Sequence, residues 1–260
     1  MKVLVIPDIH SRKFWRQAIA NNIDKVGKVI FLGDYLDPYP EEIQMTPELM
    51  EINDFYDLED ALNMLNDIVS LKKNESDKYI LLCGNHTCSY IWPDFEAATR
   101  TDRENWKEYH NFFLENLNLF NLVWTEDNAI FSHAGISEGW ANQVWNYMSR
   151  KGELSSVIEI AVMLQEIPLN EFDGVSLISD ISFYRGGYSQ YGSCEWADLR
   201  EHIDIKNSSN NNIIPNGEDG IYQVFGHTQL REPLITDKWA CLDCRKGFIF
   251  DTITHEITEC

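Results

Sequence analysis

Five short stretches of this 260-residue chain end an apolar run with residues able to hold a metal ion or move a proton. They are "PDIH" with Asp8 and His10, "GDYLD" with Asp34 and Asp37, "GNH" with Asn85 and His86, "SHAG" with His133, and "GHT" with His227. In Asp8-Ile9-His10, the alternation of an extended chain puts both polar side chains on one side and sends Ile9 to the core. Gly33, Gly84 and Gly226 fall where the backbone must turn sharply or leave room beside a site. Any one stretch is a common coincidence; all five together are not. Carboxylate, imidazole and amide oxygen in one set suit Mn, Fe or Zn better than Ca. Roughly six such groups are too many for one ion that keeps an open position, and they match two ions sharing a carboxylate.

Residue 8 can meet residue 227 only if rigid elements carry both to one place. Residues 2–6, 28–32 and 79–83 are continuous, β-branched apolar runs and predict buried strands. Between them, residues 13–21 and 53–71 predict helices; in the second, Leu58, Ala61, Leu62, Leu65, Ile68 and Val69 share a side. Strand, helix, strand, helix, strand predicts a parallel sheet with right-handed crossovers, whose ligands gather at the carboxyl ends of the strands. Further helices are expected over 104–119, 137–150 and 153–165. Further strands are expected over 122–125, 129–132, 222–225, 239–242, 248–250 and 253–257. Three prolines make 38–52 a loop, and "KNSSNNN" at 206–212 is a polar surface loop. With neither repeat nor linker, the expected fold is α/β with two sheets sharing one core, in a single domain over 1–260.

Composition narrows the partners. Against 42 acidic residues stand 21 basic ones, a formal net charge of −21, and no basic run. Nucleic acid and acidic membrane surfaces bind through Lys and Arg, so neither is expected as a partner. The apolar start is too short for a signal peptide, and no apolar stretch reaches membrane-spanning length. The six cysteines make no disulfide framework. "CLDC" (241–244) lacks a second pair for zinc, so free thiols and a cytoplasmic location are expected.

Taken in order, the five stretches resemble the calcineurin-like metallophosphoesterase superfamily. They come nearest its serine/threonine phosphatase-like branch, which includes bacterial and phage phosphatases and symmetrical dinucleotide tetraphosphatases. The resemblance implies a two-sheet β-sandwich flanked by helices. It implies that Asp8, His10 and Asp34 hold a first metal. Asp34 would bridge to a second, held also by Asn85, His133 and His227. His86 would be no ligand, but a general acid near the leaving-group oxygen or a stabiliser of the phosphoryl charge. Asp37 would hydrogen-bond to His86 and orient it, and Asn85 and His86 would touch the substrate phosphate. Two divalent ions, Mn²⁺ first with Fe or Zn as alternatives, would generate a bridging hydroxide that attacks phosphorus in line.

The sequence departs from that pattern in three places. Gln229 stands where many members carry a second His, which fits the phosphatase-like branch. Asp37-Pro38-Tyr39 replaces Asp-Arg-Gly, so the phosphate-gripping Arg must come from elsewhere. Arg185 in "FYRGG" is the candidate; Arg12, just past His10, is a weaker one, for which a surface arginine with an unrelated salt bridge is the favoured reading. Thr87 stands where an acid is usual. Residues 38–52, with Tyr39, Glu41 and Glu42, form either a lid or an inert loop. The expected activity is hydrolysis of phosphate monoesters on a small molecule, nucleotide or phosphoprotein. The alternatives are a symmetrical dinucleotide polyphosphate hydrolase, a phosphodiesterase, or a phosphate-binding protein without turnover.

Overall fold

The computed structural model describes residues 1–38, 58–95, 98, 100–148, 154, 156–203 and 220–260. The expected helical start at 53–57, most of the proline-rich loop after Pro38, and the polar loop at 206–212 lie outside these residues.

Two sheets carry the architecture. The first has the order β11-β10-β1-β2-β3-β4 and the second β5-β6-β7-β9-β8. In the first, β1 (Lys2–Ile6), β2 (Lys28–Phe31), β3 (Tyr79–Leu82) and the short β4 (Phe120–Asn121) run parallel. The hairpin of β10 (Phe248–Asp251) and β11 (Ile257–Glu259) adds antiparallel to β1. In the second, β6 (Ala129–Ser132), β7 (Tyr222–Phe225) and β9 (Trp239–Cys241) are parallel. They are edged by antiparallel β5 (Val123–Glu126) and β8 (Leu234–Ile235).

Side-chain alternation explains why these strands read as unbroken apolar runs. Val3, Val5, Ile30, Leu32, Ile80 and Leu82 of the first sheet pack with Ala129, Phe131, Tyr222, Val224 and Ala240 of the second, forming the sandwich interior. Their neighbours Leu4, Ile6, Val29, Phe31, Leu81 and Ile130 face outward into a separate apolar layer built with the helices. Both faces are therefore covered, and no polar residue is needed along the strand. Helices α1 (Phe14–Asn22) and α2 (Ala61–Asn74) contribute Trp15, Ile19, Leu65 and Ile68 to that layer; α5 (Glu138–Tyr147) and α6 (Val157–Glu166) contribute Trp140, Val144, Ile160 and Leu164. Among the described residues, no helix is long and apolar enough to cross a membrane.

Several elements differ from expectation, four of them for a local reason. Helix α2 starts at Ala61 because the Asp60 carboxylate accepts the Asn63 N–H and caps it. Asn85–Ile91 forms a buried helix, α3, directly after β3; every residue in it is buried, so no amphipathic period marks it. Helix α4 (Trp106–Glu115) stops short of 119 and passes into a 3₁₀ turn at Leu117–Leu119. Ile253 and Thr254 are a turn, not a strand, because Asp251 Oδ1 accepts both of their N–H groups at 3.0 and 3.2 Å. The short α7 (Val175–Ile178) and α8 (Leu199–Ile203) complete the α-helices among the described residues.

Phe131 lies in the sandwich interior, edge-on to Phe250 with ring centroids 5.7 Å apart, just before His133 in the chain. Phe131→Ala is expected to destabilise the fold by about 3–5 kcal/mol, read as a lowered midpoint in urea unfolding.

Candidate metal centre

The candidate residues sit just past the carboxyl ends of β1, β2, β3, β6 and β7. Their loops are stitched together by the backbone: Ile9 and His10 N–H both donate to the Asp34 carbonyl, and Ser11 N–H donates to the Tyr35 carbonyl. His10, Asp34, Asp37 and His227 all adopt left-handed backbone angles, with φ of +46°, +45°, +63° and +66°. A residue carrying a side chain adopts that conformation at a cost on the order of 1 kcal/mol. Here it turns each chain sharply back, so that the side chain enters the common centre.

Two overlapping groups result. Asp8, His10 and Asp34 offer ligand atoms all within 4.8 Å of one another, and so do Asp34, His133 and His227. Asp34 belongs to both. Asn85 joins the second group, its Oδ1 lying 3.0 Å from His133 Nε2. His133 Nδ1 donates to the Leu32 carbonyl at 3.0 Å, which leaves its lone pair on Nε2. That nitrogen faces Asn85 Oδ1, His227 Nδ1 at 3.0 Å and Asp34 Oδ2 at 3.3 Å. His10 is held in the same way: Nδ1 lies against the Leu36 carbonyl at 2.7 Å and Nε2 faces Asp34 at 3.9 Å. Ligand atoms from six side chains thus converge in a buried space, and a single proton on His133 cannot satisfy them all. A cation can, and the donor set of carboxylate, imidazole and amide oxygen fits a first-row divalent ion.

The electrostatics agree. Burial pushes the Asp8 carboxyl well above the usual range, and the charge on Asp243 adds to this. Burial would lower His133, yet the Asp34 and Asp8 carboxylates outweigh it and carry its pKa up to about 10. Asp34 stays well below the ordinary value; burial opposes this, and His133 and His86 overcome it. The centre therefore draws in positive charge.

His86, at the start of α3, stands beside these groups. Its Nδ1 is 2.7 Å from Asp37 Oδ2, and its N–H donates to Asp34 Oδ1 at 2.9 Å. The other Asp37 oxygen accepts from the Tyr90 hydroxyl at 2.5 Å. Arg185 approaches from the His227 side, with Nε 2.8 Å from Asp198 and Nη2 donating to Thr228 Oγ1 at 2.6 Å. Arg12 is not a surface arginine: it is 1% exposed and donates to the His10 carbonyl at 3.3 Å. A backbone bridge between Arg12 and Leu58 covers it. Gln229, with its amide oxygen toward Arg245, accepts from that guanidinium Nε at 3.2 Å. The Thr87 hydroxyl is buried with no hydrogen-bond partner among the described residues.

Three neighbours of the centre escape the sequence reading. Asp243 is buried beside Asp8, and burial raises its pKa to about 6. It follows β9, so the rule that strand ends deliver acids would have found it within "CLDC". Tyr90 and Arg100 carry no comparable signal; only the three-dimensional path of the chain brings them to Asp37 and His86.

A sequence model of the calcineurin-like phosphoesterase family matches residues 1–240. No curated protein matches the sequence. Among solved structures, the cold-active protein-tyrosine phosphatase of the psychrophile Shewanella sp. is similar over 99% of this chain and 80% of its own, at 12% identity and a TM-score of 0.56. A protein serine/threonine phosphatase from Saccharomyces cerevisiae is similar over 96% of this chain and 72% of its own, at 12% identity and a TM-score of 0.48.

Two glycines press on the candidate ligands. A Cβ at Gly84 would lie 2.2 Å from Asp34 Oδ1, and one at Gly226 would lie 2.1 Å from Asp8 Oδ1. Gly84→Ala is expected to weaken Mn²⁺ binding across the whole centre by about tenfold or more. Gly226→Ala should act mainly on the Asp8 group. Calorimetric titration of each variant with Mn²⁺ reads the difference.

Proposed function

The chain belongs to the calcineurin-like phosphoesterase family, and we propose that it hydrolyses phosphate monoesters at a centre holding two divalent cations, Mn²⁺ foremost. It is a hydrolase acting on phosphate esters; the monoester and the two-ion centre are our reading. The observation that carries this reading is the convergence of Asp34, Asn85 and His227 on His133 Nε2, with Asp8 and His10 on the other side of Asp34.

Asp8, His10 and Asp34 would hold one ion, and Asp34, Asn85, His133 and His227 the other. Gln229 engages Arg245, which supports a first set of three residues. When bound, the cations would supply Lewis acidity toward phosphoryl oxygens and a lowered pKa for water between them.

The remaining work falls to the chain's own groups. Asp37 accepts from His86 Nδ1 and from Tyr90; the ring is thereby held, and on this reading Nε2 would face the reacting phosphate. Nε2 of His86 is the atom that would give its proton to the departing ester oxygen. Arg185, anchored by Asp198 and Thr228, would steady a non-bridging phosphoryl oxygen together with Asn85 and His86. Burial of these groups strengthens each charge–charge contact relative to bulk water.

The ester itself would come from a phosphorylated small molecule, nucleotide or phosphoprotein. Ligands contributed by both sheets support reading residues 1–260 as one working unit. The six unpaired cysteines fit a reducing compartment, the cytoplasm.

The test is hydrolysis of an aryl phosphate by the Mn²⁺-loaded protein. Turnover should vanish on chelation with EDTA and return with Mn²⁺. Asp34→Asn and His86→Ala should each lower kcat by about 100-fold or more. Full activity in either variant would overturn the assignment of that residue.

A further inference from the structure

We propose that Arg100 is a second substrate-binding residue, whose guanidinium grips an anionic oxygen of the phosphoryl group beside His86. The proposal rests on the phosphoesterase reading above and adds a contact at His86, apart from that of Arg185 at His227.

Arg100 Nη2 lies 3.4 Å from His86 Nε2. The other ring nitrogen is committed to Asp37, whose second oxygen is taken by the Tyr90 hydroxyl. The Tyr90 oxygen in turn accepts the Asp102 N–H at 2.7 Å. Nε2 is therefore the ring nitrogen left for another partner, and Arg100 stands against it. A guanidinium is permanently charged and can only donate hydrogen bonds. At 3.4 Å an imidazole nitrogen is a long and weak partner for it. A phosphoryl oxygen placed against both groups would accept short, charge-assisted bonds, which the planar fork of Arg is shaped to make.

The backbone is built to hold this position. Arg100 has φ +68°, a costly angle for a residue with a side chain. Thr101 closes the turn, its N–H and its hydroxyl both donating to the Ala98 carbonyl at 3.4 and 2.7 Å. Asp102 then ties the segment to Tyr90 and, through Oδ1, caps the N–H groups of Glu104 and Asn105 ahead of α4. Trp106 Nε1 donates to the Ser89 carbonyl at 3.1 Å, so α4 is clasped to α3. The segment that completes the Asp37 network also aims Arg100.

Charge balance asks for such a group. Asp8, Asp34 and Asp37 already crowd the centre, and a phosphate ester adds more negative charge. The stretch that follows Asp37, residues 38–57, contains neither Lys nor Arg. Arg185 serves the His227 edge. Arg100 supplies positive charge at the His86 edge.

The test compares the Mn²⁺-loaded wild-type protein with Arg100→Ala and Arg100→Lys. Calorimetry gives the Kd for inorganic phosphate, and steady-state assays give KM and kcat for an aryl phosphate. Arg100→Ala should weaken phosphate binding about 10- to 100-fold and raise KM in parallel, with Mn²⁺ content and Tm unchanged. Arg100→Lys should recover part of the loss, because it restores the charge without the fork. Free guanidinium at millimolar concentration should partly restore the rate of Arg100→Ala, whereas sodium at equal ionic strength should not. Unchanged phosphate affinity and KM in Arg100→Ala would overturn the proposal. So would a loss accompanied by lower Mn²⁺ content or Tm, which marks a structural prop. A wild-type protein that neither binds phosphate nor hydrolyses the ester would instead overturn the phosphoesterase reading itself.

Discussion

Asp34 Oδ2 faces His133 Nε2 across 3.3 Å, and the same nitrogen faces two further electron-rich atoms at 3.0 Å. Three acceptor atoms do not crowd around one imidazole nitrogen in a buried space unless something else compels it. Here the compulsion is the sandwich. Its two sheets are locked by an interior of Val, Ile, Leu and Phe side chains, and burial on that scale outweighs the local cost of a few crowded polar atoms. The strand ends are then fixed in space, and whatever follows them must share the gap between the sheets.

That arrangement places strained backbone at the site, although left-handed angles also occur in remote turns at Asp127 and His255. Left-handed angles occur at His10, Asp34, Asp37 and His227, and at Ser11 directly after His10. Gly84 and Gly226 play a different part: neither needs a positive φ, and each is required by the nearness of a carboxylate. Gly33 meets both demands, with φ +110° and the Cys83 carbonyl 2.5 Å from where a Cβ would be. Strained residues persist only where their surroundings over-determine them. Here the surroundings are hydrogen bonds that cross from one strand-end loop to the next.

Much of this is legible in the sequence because the rule is local. An apolar run followed at once by Asp, Asn or His can be read without knowing what the run packs against. The convergence of Asp8, His10, Asp34, Asn85, His133 and His227 follows once the strands are taken as parallel. The helix over Asn85–Ile91 was not legible, because a helix buried on every side has no amphipathic period. Nor was the burial of Arg12, since a lone Arg after a loop looks the same whether or not Leu58 folds over it. Tyr90 is four residues after His86, a spacing that shares a helix face, but only if the helix is already known. Arg100 depends on a turn set by Asp102 and Tyr90, and no nearby pattern announces it.

The two candidate ion groups differ in how much chain they need. Asp8, His10 and Asp34 all belong to the first 34 residues, held by β1 and β2. The other group waits for His227, and the Asp8 carboxylate itself accepts the backbone N–H of His227, 219 residues away. Contacts across so long a loop form late, because the entropy of closing it is spent before they are gained. A chain emerging from the ribosome would thus present half a centre long before the whole. On the proposed reading, the second ion group is complete only once β7 has taken its place beside β6 and brought His227 to Asp34 and His133.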